Sequence, residues 1–275
     1  MKIIITLLSL ILPSALCFHS SFTKKTAFYP NVVSLKMSTS DVAAKKCYDK
    51  VFVAGGTKGV GRIIVDKLLE MGSEVVVLCR SDDSIAELSA IEGVTAIKGD
   101  AFDYKSIENA MDGCDATITT LGKGGAAEDE EKRVDYEGNA NVIEAAGILG
   151  VTRLIFVTSI GCGNSKGAVP ENVYEVLKEA LLAKEKAEKV LKFYTNMNWT
   201  VIRPGGLKTE KATGTAILTE DNMAIGTIHR EDVANLVVKA LVSGNTEKKT
   251  LSCVDPEFVS AANEEGRVVE EFSLA

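Results

Sequence analysis

The 275-residue chain is 46 % apolar and 25 % charged, an ordinary soluble balance that leaves room for one substantial core. It carries 31 basic and 38 acidic residues. The first forty residues hold four lysines and no acid, so the rest sets 27 basic against 38 acidic, a net of −11 that argues against nucleic acid as a main partner. Six cysteines, at 17, 47, 79, 114, 162 and 253, are widely spaced with no CxxC, which excludes a disulfide framework or a cysteine zinc site. The histidines are His19 and His229 alone, which excludes a Ser-His-Asp triad or a His-rich metal centre once the leader is removed.

The chain opens on Met1-Lys2 and a short apolar run ending in Ala15-Leu16-Cys17, read as a signal peptide over residues 1–17. Residues 18–40 are rich in Ser, Thr and Lys and free of acids, the composition of a transit peptide. A signal peptide followed by a transit-like segment beginning at Phe18 is similar to the bipartite leader of proteins sent to complex plastids. The alternative is secretion. No later run reaches membrane-spanning length, so the mature chain is expected to lack an integral span.

From residue 45 to 255 strand patterns alternate with helix patterns. Strands are expected at 51–55, 74–79, 94–99, 116–121, 153–159 and 199–204, each a short Val/Ile/Thr-rich run with apolar character on both faces. Helical periods occupy 61–72, 135–150, 172–194 and 230–244. The alternation implies an α/β fold of Rossmann type, a doubly wound parallel sheet in three α/β/α layers and a single domain. Residues 256–275 form an acidic tail, either a docked helix or a loose end.

The first strand runs into 55-GGTKGVG-61. Gly55 lets the chain turn out of the strand, Gly59 lets backbone approach a pyrophosphate, and Gly61 lets the helix pack on the strand. The backbone of Thr57, Lys58 and Val60 lies in the same turn, and the following helix offers N–H groups to a phosphate. At the end of the second strand, Arg80 and Ser81 stand where an NAD-binding chain carries an acid. Arg80 is suited to a bidentate pair with a 2′-phosphate, with Ser81 donating and Lys58 adding charge, which selects NADP(H). The other reading of Arg80 is a solvated surface residue. Asp100 and Ala101 after the third strand would flank the adenine, and Leu121 and Gly122 after the fourth would follow the ribose and phosphate.

In order and spacing, the segments VAGGTKGVGR, VLCRS, KGDAFD, VDYEGNANVIEAA, LIFVTSIG, KEKAEKVL, WTVIRPGGL and HREDVANLVVKAL resemble an atypical short-chain dehydrogenase/reductase of the kind found in plastids and cyanobacteria. The resemblance implies a Ser-Tyr-Lys site. It assigns Ser159 to steady a substrate oxygen, Lys184 to the nicotinamide ribose with Glu188 one turn on, and Thr158, Pro204 and Gly205 to the nicotinamide side. Asn139 and Asn141 are expected to brace that end. The tyrosine should lie four residues before Lys184, where the chain has Ala180. The one literal Tyr-x-x-x-Lys is Tyr174 with Lys178, so Tyr174 is either a shifted proton donor or an ordinary helix residue. Ser159 is alternatively a strand-end cap.

Two functions follow from the resemblance. One is an NADPH-dependent oxidoreductase passing hydride to a small acceptor of carbonyl, quinone or flavin type. The other is a non-catalytic NADP(H)-binding scaffold or assembly factor with a protein partner. A sugar-nucleotide epimerase is disfavoured, since its chemistry also leans on the missing tyrosine.

Overall fold

The computed structural model describes residues 48–122, 132–259 and 268–275. The leader segments 1–17 and 18–40 lie outside them.

Eight strands form one sheet. In chain order they are β1 (Lys50–Ala54), β2 (Glu74–Cys79), β3 (Val94–Lys98), β4 (Ala116–Thr119), β5 (Arg153–Val157), β6 (Asn198–Pro204), β8 (Ile217–Thr219) and β10 (Lys249–Val254), while β7 (Gly206–Lys208) and β9 (Thr227–His229) pair as a small parallel ribbon. Across the main sheet the order is β3-β2-β1-β4-β5-β6-β10-β8, parallel except for β8. From β1 the chain steps outward to β2 and β3, then returns to the other side of β1 as β4. The crevice beyond the carboxyl ends of β1 and β4 is therefore the topological switch point where ligands bind in such sheets.

The two faces are filled by the alternation of each strand. Val51 and Val53 of β1 face a core built with Ile64, Val65 and Leu68 of α1 (Gly59–Glu70) and Val233, Val237 and Leu241 of α6 (Arg230–Val242). Phe52 and Ala54 face the opposite core, with Ile107 and Met111 of α3 (Tyr104–Met111), Val142 and Ala146 of α4 (Asn139–Ile148) and Ala187 and Leu191 of α5 (Glu171–Phe193). The result is the expected three-layer Rossmann architecture. No helix among the described residues is long and apolar enough to cross a membrane.

The strands and the longer helices follow the sequence pattern closely. The helical period at 135–150 differs, since Val134–Gly138 is a turn of π-helix and α4 begins only at Asn139. The described part of the tail is docked, and its helical portion is a single 3-10 turn at Pro256–Phe258. Phe272 donates its N–H to Leu218 O at 2.7 Å, and Phe272 and Leu274 pack on the first core.

Candidate functional site

At the end of β1, Gly55 and Gly59 adopt φ of +84° and +58°, values a side chain disfavours. Gly61 has a steric reason to be glycine: a Cβ there would lie 2.1 Å from Gly55 O and 2.6 Å from Thr120 Oγ1. Around Gly59 the space is open, with only Arg230 Nε at 4.0 Å from such a Cβ. The first turn of α1 has neither a side-chain cap nor an acidic residue, whereas α2 (Asp82–Ser89) and α3 are capped by Ser81 and Asp103. The free N–H groups at Gly59, Val60 and Gly61 thus open onto the crevice with the positive end of the helix behind them. Thr57 is half-buried and Lys58 exposed at the same mouth. This cradle, open at Gly59 and filled at Gly61 only by glycine, fits a pyrophosphate.

Arg80 follows β2 and is exposed, without a hydrogen bond or ion pair among the described residues. The Ser81 hydroxyl is engaged locally. It accepts from Ser84 N at 3.3 Å and donates to Ser84 Oγ at 2.8 Å, closing the N-terminus of α2. Asp100 forms a local turn by accepting from Phe102 N, and Ala101 is buried with its carbonyl bound by Asn141 Nδ2 at 2.9 Å.

At the end of β4 the structure brings together residues from three elements. Lys184 of α5 donates to Leu121 O at 2.9 Å and lies 3.6 Å from Asp135 Oδ1, a carboxylate in the π turn. A Cβ on Gly122 would meet Lys184 Nζ at 2.9 Å and Asp135 Oδ1 at 3.1 Å, so glycine there makes this approach possible. Asn139 locks the turn, accepting from Thr119 Oγ1 at 2.6 Å and donating to Asp135 O at 3.0 Å. The bracing role expected of Asn139 and Asn141 is what their bonds supply. Asp135, Thr120 and Arg230 were not singled out in the sequence. The one available signal was an acid opening the helical period at 135 with no exposed face to explain it.

The far end is organised around a buried ion pair. Glu188 receives Arg203 Nε at 3.0 Å and Nη2 at 2.6 Å, and Arg203 Nη1 reaches Asn164 Oδ1 at 2.5 Å. Thr158 joins this network, donating to Glu188 Oε1 at 2.8 Å, so it is a core residue rather than a cofactor contact. Ser159 is half-buried at the end of β5 and donates to Ile160 O at 3.0 Å. Pro204 is buried with its carbonyl taken by Ile160 N, and a Cβ on Gly205 would lie 2.3 Å from Gly226 O, so both serve the packing of the β6–β7 turn and not an open cradle. Burial pushes the Cys162 thiol up to about 12, which removes it as a nucleophile.

Tyr174 does not meet Lys184. A separation of ten positions spans ~15 Å of α5, and Tyr174 is buried beside Cys162, Leu181 and Val169 with Lys166 Nζ 4.4 Å over its ring. It is an ordinary packed helix residue. Ala180, one turn before Lys184, is half-buried and continues a face with Leu177 (36 % exposed) and Val173 (41 % exposed). The helix therefore presents an apolar strip leading away from Lys184 and no proton donor at the expected place.

The chain matches a family model described as NAD(P)H-binding over residues 55–243. It is 33 % identical over 208 residues to a Bacillus subtilis protein described as an uncharacterized sugar epimerase, YhfK, covering 75 % of this chain and 94 % of that one. An Arabidopsis thaliana protein described as chloroplastic, At2g34460, is 32 % identical over 246 residues, covering 86 % and 87 %. Among solved structures, ChuY, an anaerobilin reductase from Escherichia coli O157:H7, superimposes with a TM-score of 0.69 at 27 % identity over 77 % of this chain and all of that one.

Proposed function

The chain belongs to the NAD(P)H-binding family of atypical short-chain dehydrogenases/reductases, and from that premise we propose that it is an NADPH-dependent reductase of a plastid. The observation that carries the cofactor reading is the uncapped first turn of α1 beside Gly59, where open space and free N–H groups suit a pyrophosphate. Arg80, exposed and unpaired among the described residues, with Lys58 at the same mouth, favours the 2′-phosphate of NADPH over NADH. Lys184, held by Leu121 O and Asp135, is the residue assigned to the nicotinamide ribose. The cofactor, when bound, supplies hydride.

Ala180 decides the kind of acceptor. With no tyrosine on that turn, no strong proton donor stands beside Lys184 among the described residues, and Ser159 already donates to Ile160 O. A ketone needs a proton at its oxygen as hydride arrives, whereas a flavin or quinone-like ring delocalises the charge and takes its proton from water. The apolar strip of Ala180, Leu177 and Val173 suits a flat ring of that type. The same absence supports a second reading, in which NADP(H) is held but not consumed. The plastid assignment rests on the acid-free leader and on chloroplastic relatives such as the Arabidopsis protein.

The two readings separate in one experiment. NADPH absorbance is followed with quinones, flavins and aldehydes while binding is measured by calorimetry. The reductase reading expects micromolar binding and turnover with a quinone or flavin ahead of any aldehyde. Binding without turnover on any of them overturns it in favour of the scaffold.

A further inference from the structure

A second cluster of ligand-bearing side chains lies between α6, the end of β10 and the loop after β7. His229 closes β9, Asp232 is in the first turn of α6, and Asp255 follows β10, and they are 5, 2 and 0 % exposed. One ligand atom from each lies within 4.8 Å of the other two. Among the described residues no lysine or arginine pairs with either carboxylate, although buried carboxylates are normally paired or metal-bound. Neutral donors hold them instead. Asp232 accepts from Thr213 N at 2.9 Å and Gly214 N at 3.0 Å, and Asp255 from Thr215 Oγ1 at 2.9 Å and Glu257 N at 3.0 Å. Thr213 Oγ1 sits between the two, 3.3 Å from Asp232 Oδ2 and in contact with Asp255 Oδ2, yet its single proton serves only one of them.

The histidine is the independent sign of a ligand. Nδ1 of His229 is buried with no hydrogen-bond partner and faces Asp232 Oδ2 at 3.7 Å. Its other nitrogen, Nε2, lies 3.3 Å from Glu210 Oε2. Nδ1 is thus a buried ring nitrogen without a partner that faces carboxylate oxygens, an arrangement a cation between them would satisfy. A carboxylate behind a histidine whose far nitrogen meets a metal is the usual construction of a ligand and its support.

We infer that His229 Nδ1, Asp232 Oδ2 and Asp255 Oδ2, with Thr213 Oγ1 as a fourth donor, form a site for a divalent cation of the nitrogen- and oxygen-preferring kind, Zn²⁺ or Mn²⁺. The ion is structural. It clips the 209–215 loop and the end of β10 to α6, and through Thr209, which accepts from Arg230 Nη1 at 2.6 Å, it steadies the arginine beside Gly59.

The test strips the full chain of metal and titrates it with Zn²⁺ in calorimetry, with metal analysis after gel filtration. One tight equivalent is expected, with a rise in melting temperature. Glu210 is 72 % exposed at its side chain, so Glu210→Gln leaves folding intact and weakens that equivalent by about tenfold to a hundredfold. Asp255→Asn should remove it. The inference is overturned if the wild type takes up no tight equivalent. Affinity unchanged in Glu210→Gln overturns it too, since the ion would then sit on the acidic surface.

Discussion

The two ends of the crevice share one sheet edge and are made of different material. At the phosphate end the geometry is written in backbone: two glycines at positive φ, a third that must lack a Cβ, and a helix whose first turn has no side chain across it. At the far end it is written in side chains, with Glu188 clamped to Arg203, Lys184 to Asp135, and Thr158 drawn into the first of these pairs. A backbone-built site depends on what is absent and tolerates little added volume. A side-chain site depends on partners and fails when one is removed.

The largest effect is expected where a partner is lost. Glu188→Leu leaves the Arg203 guanidinium buried with Asn164 and Ser165 as its remaining side-chain hydrogen-bond partners among the described residues. Breaking a buried ion pair from one side costs about 3–5 kcal/mol. Denaturant unfolding should show a loss of that size, and a loss below about 1 kcal/mol would mean that water reaches Arg203 and that the far end is less dry than its exposure implies.

The phosphate end is broken by addition. Gly61→Ala drives a methyl into Gly55 O and Thr120 Oγ1, and the backbone atom cannot swing aside as a flexible side chain does. The turn must open, carrying the N–H groups of α1 away from the ligand. NADPH affinity should fall by about a hundredfold, about 2.7 kcal/mol, in calorimetry on protein shown to be folded by circular dichroism. Unchanged affinity would show that the pyrophosphate does not sit at this turn.

The same division decided what could be read from the sequence. Glycine spacing after an apolar strand is a local signal, so the glycine turn, α1 and the places of the first six strands along the chain were legible. Lys184 and Glu188 were legible only through resemblance, and their partners were not: Asp135 is 49 positions from Lys184 in sequence, and nothing local couples them. Thr158 looked like a polar strand end open to a ligand because its bond to Glu188 is a tertiary fact. Tyr174 matched a spacing that its own helix contradicts, since Lys178 pairs with Glu175 on the outside while the tyrosine turns inward. Strand β10 was missed because 249-KTLSCV follows a polar turn and has no helix after it. The eight-residue helices α2 and α3 are too short for a clear period.

The smallest effect tests the one place where a side chain acts at the backbone-built end. Arg80 is exposed and makes no hydrogen bond or ion pair among the described residues, so Arg80→Ala should leave stability within about 0.5 kcal/mol of wild type. NADPH affinity should drop about tenfold, near 1.4 kcal/mol, with NADH affinity almost unmoved. Lys98 stands opposite Cys79 in the β2–β3 register and is drawn off by Asp82 at 2.5 Å, which leaves Arg80 as the main charge for a 2′-phosphate. Because the guanidinium is solvated, the NADPH-to-NADH ratio of the wild type should shrink as salt rises from about 0.1 to 1 M, where screening shortens from ~10 to ~3 Å. An equal loss for both cofactors in Arg80→Ala would place the selectivity elsewhere, with Lys58 the next residue to change.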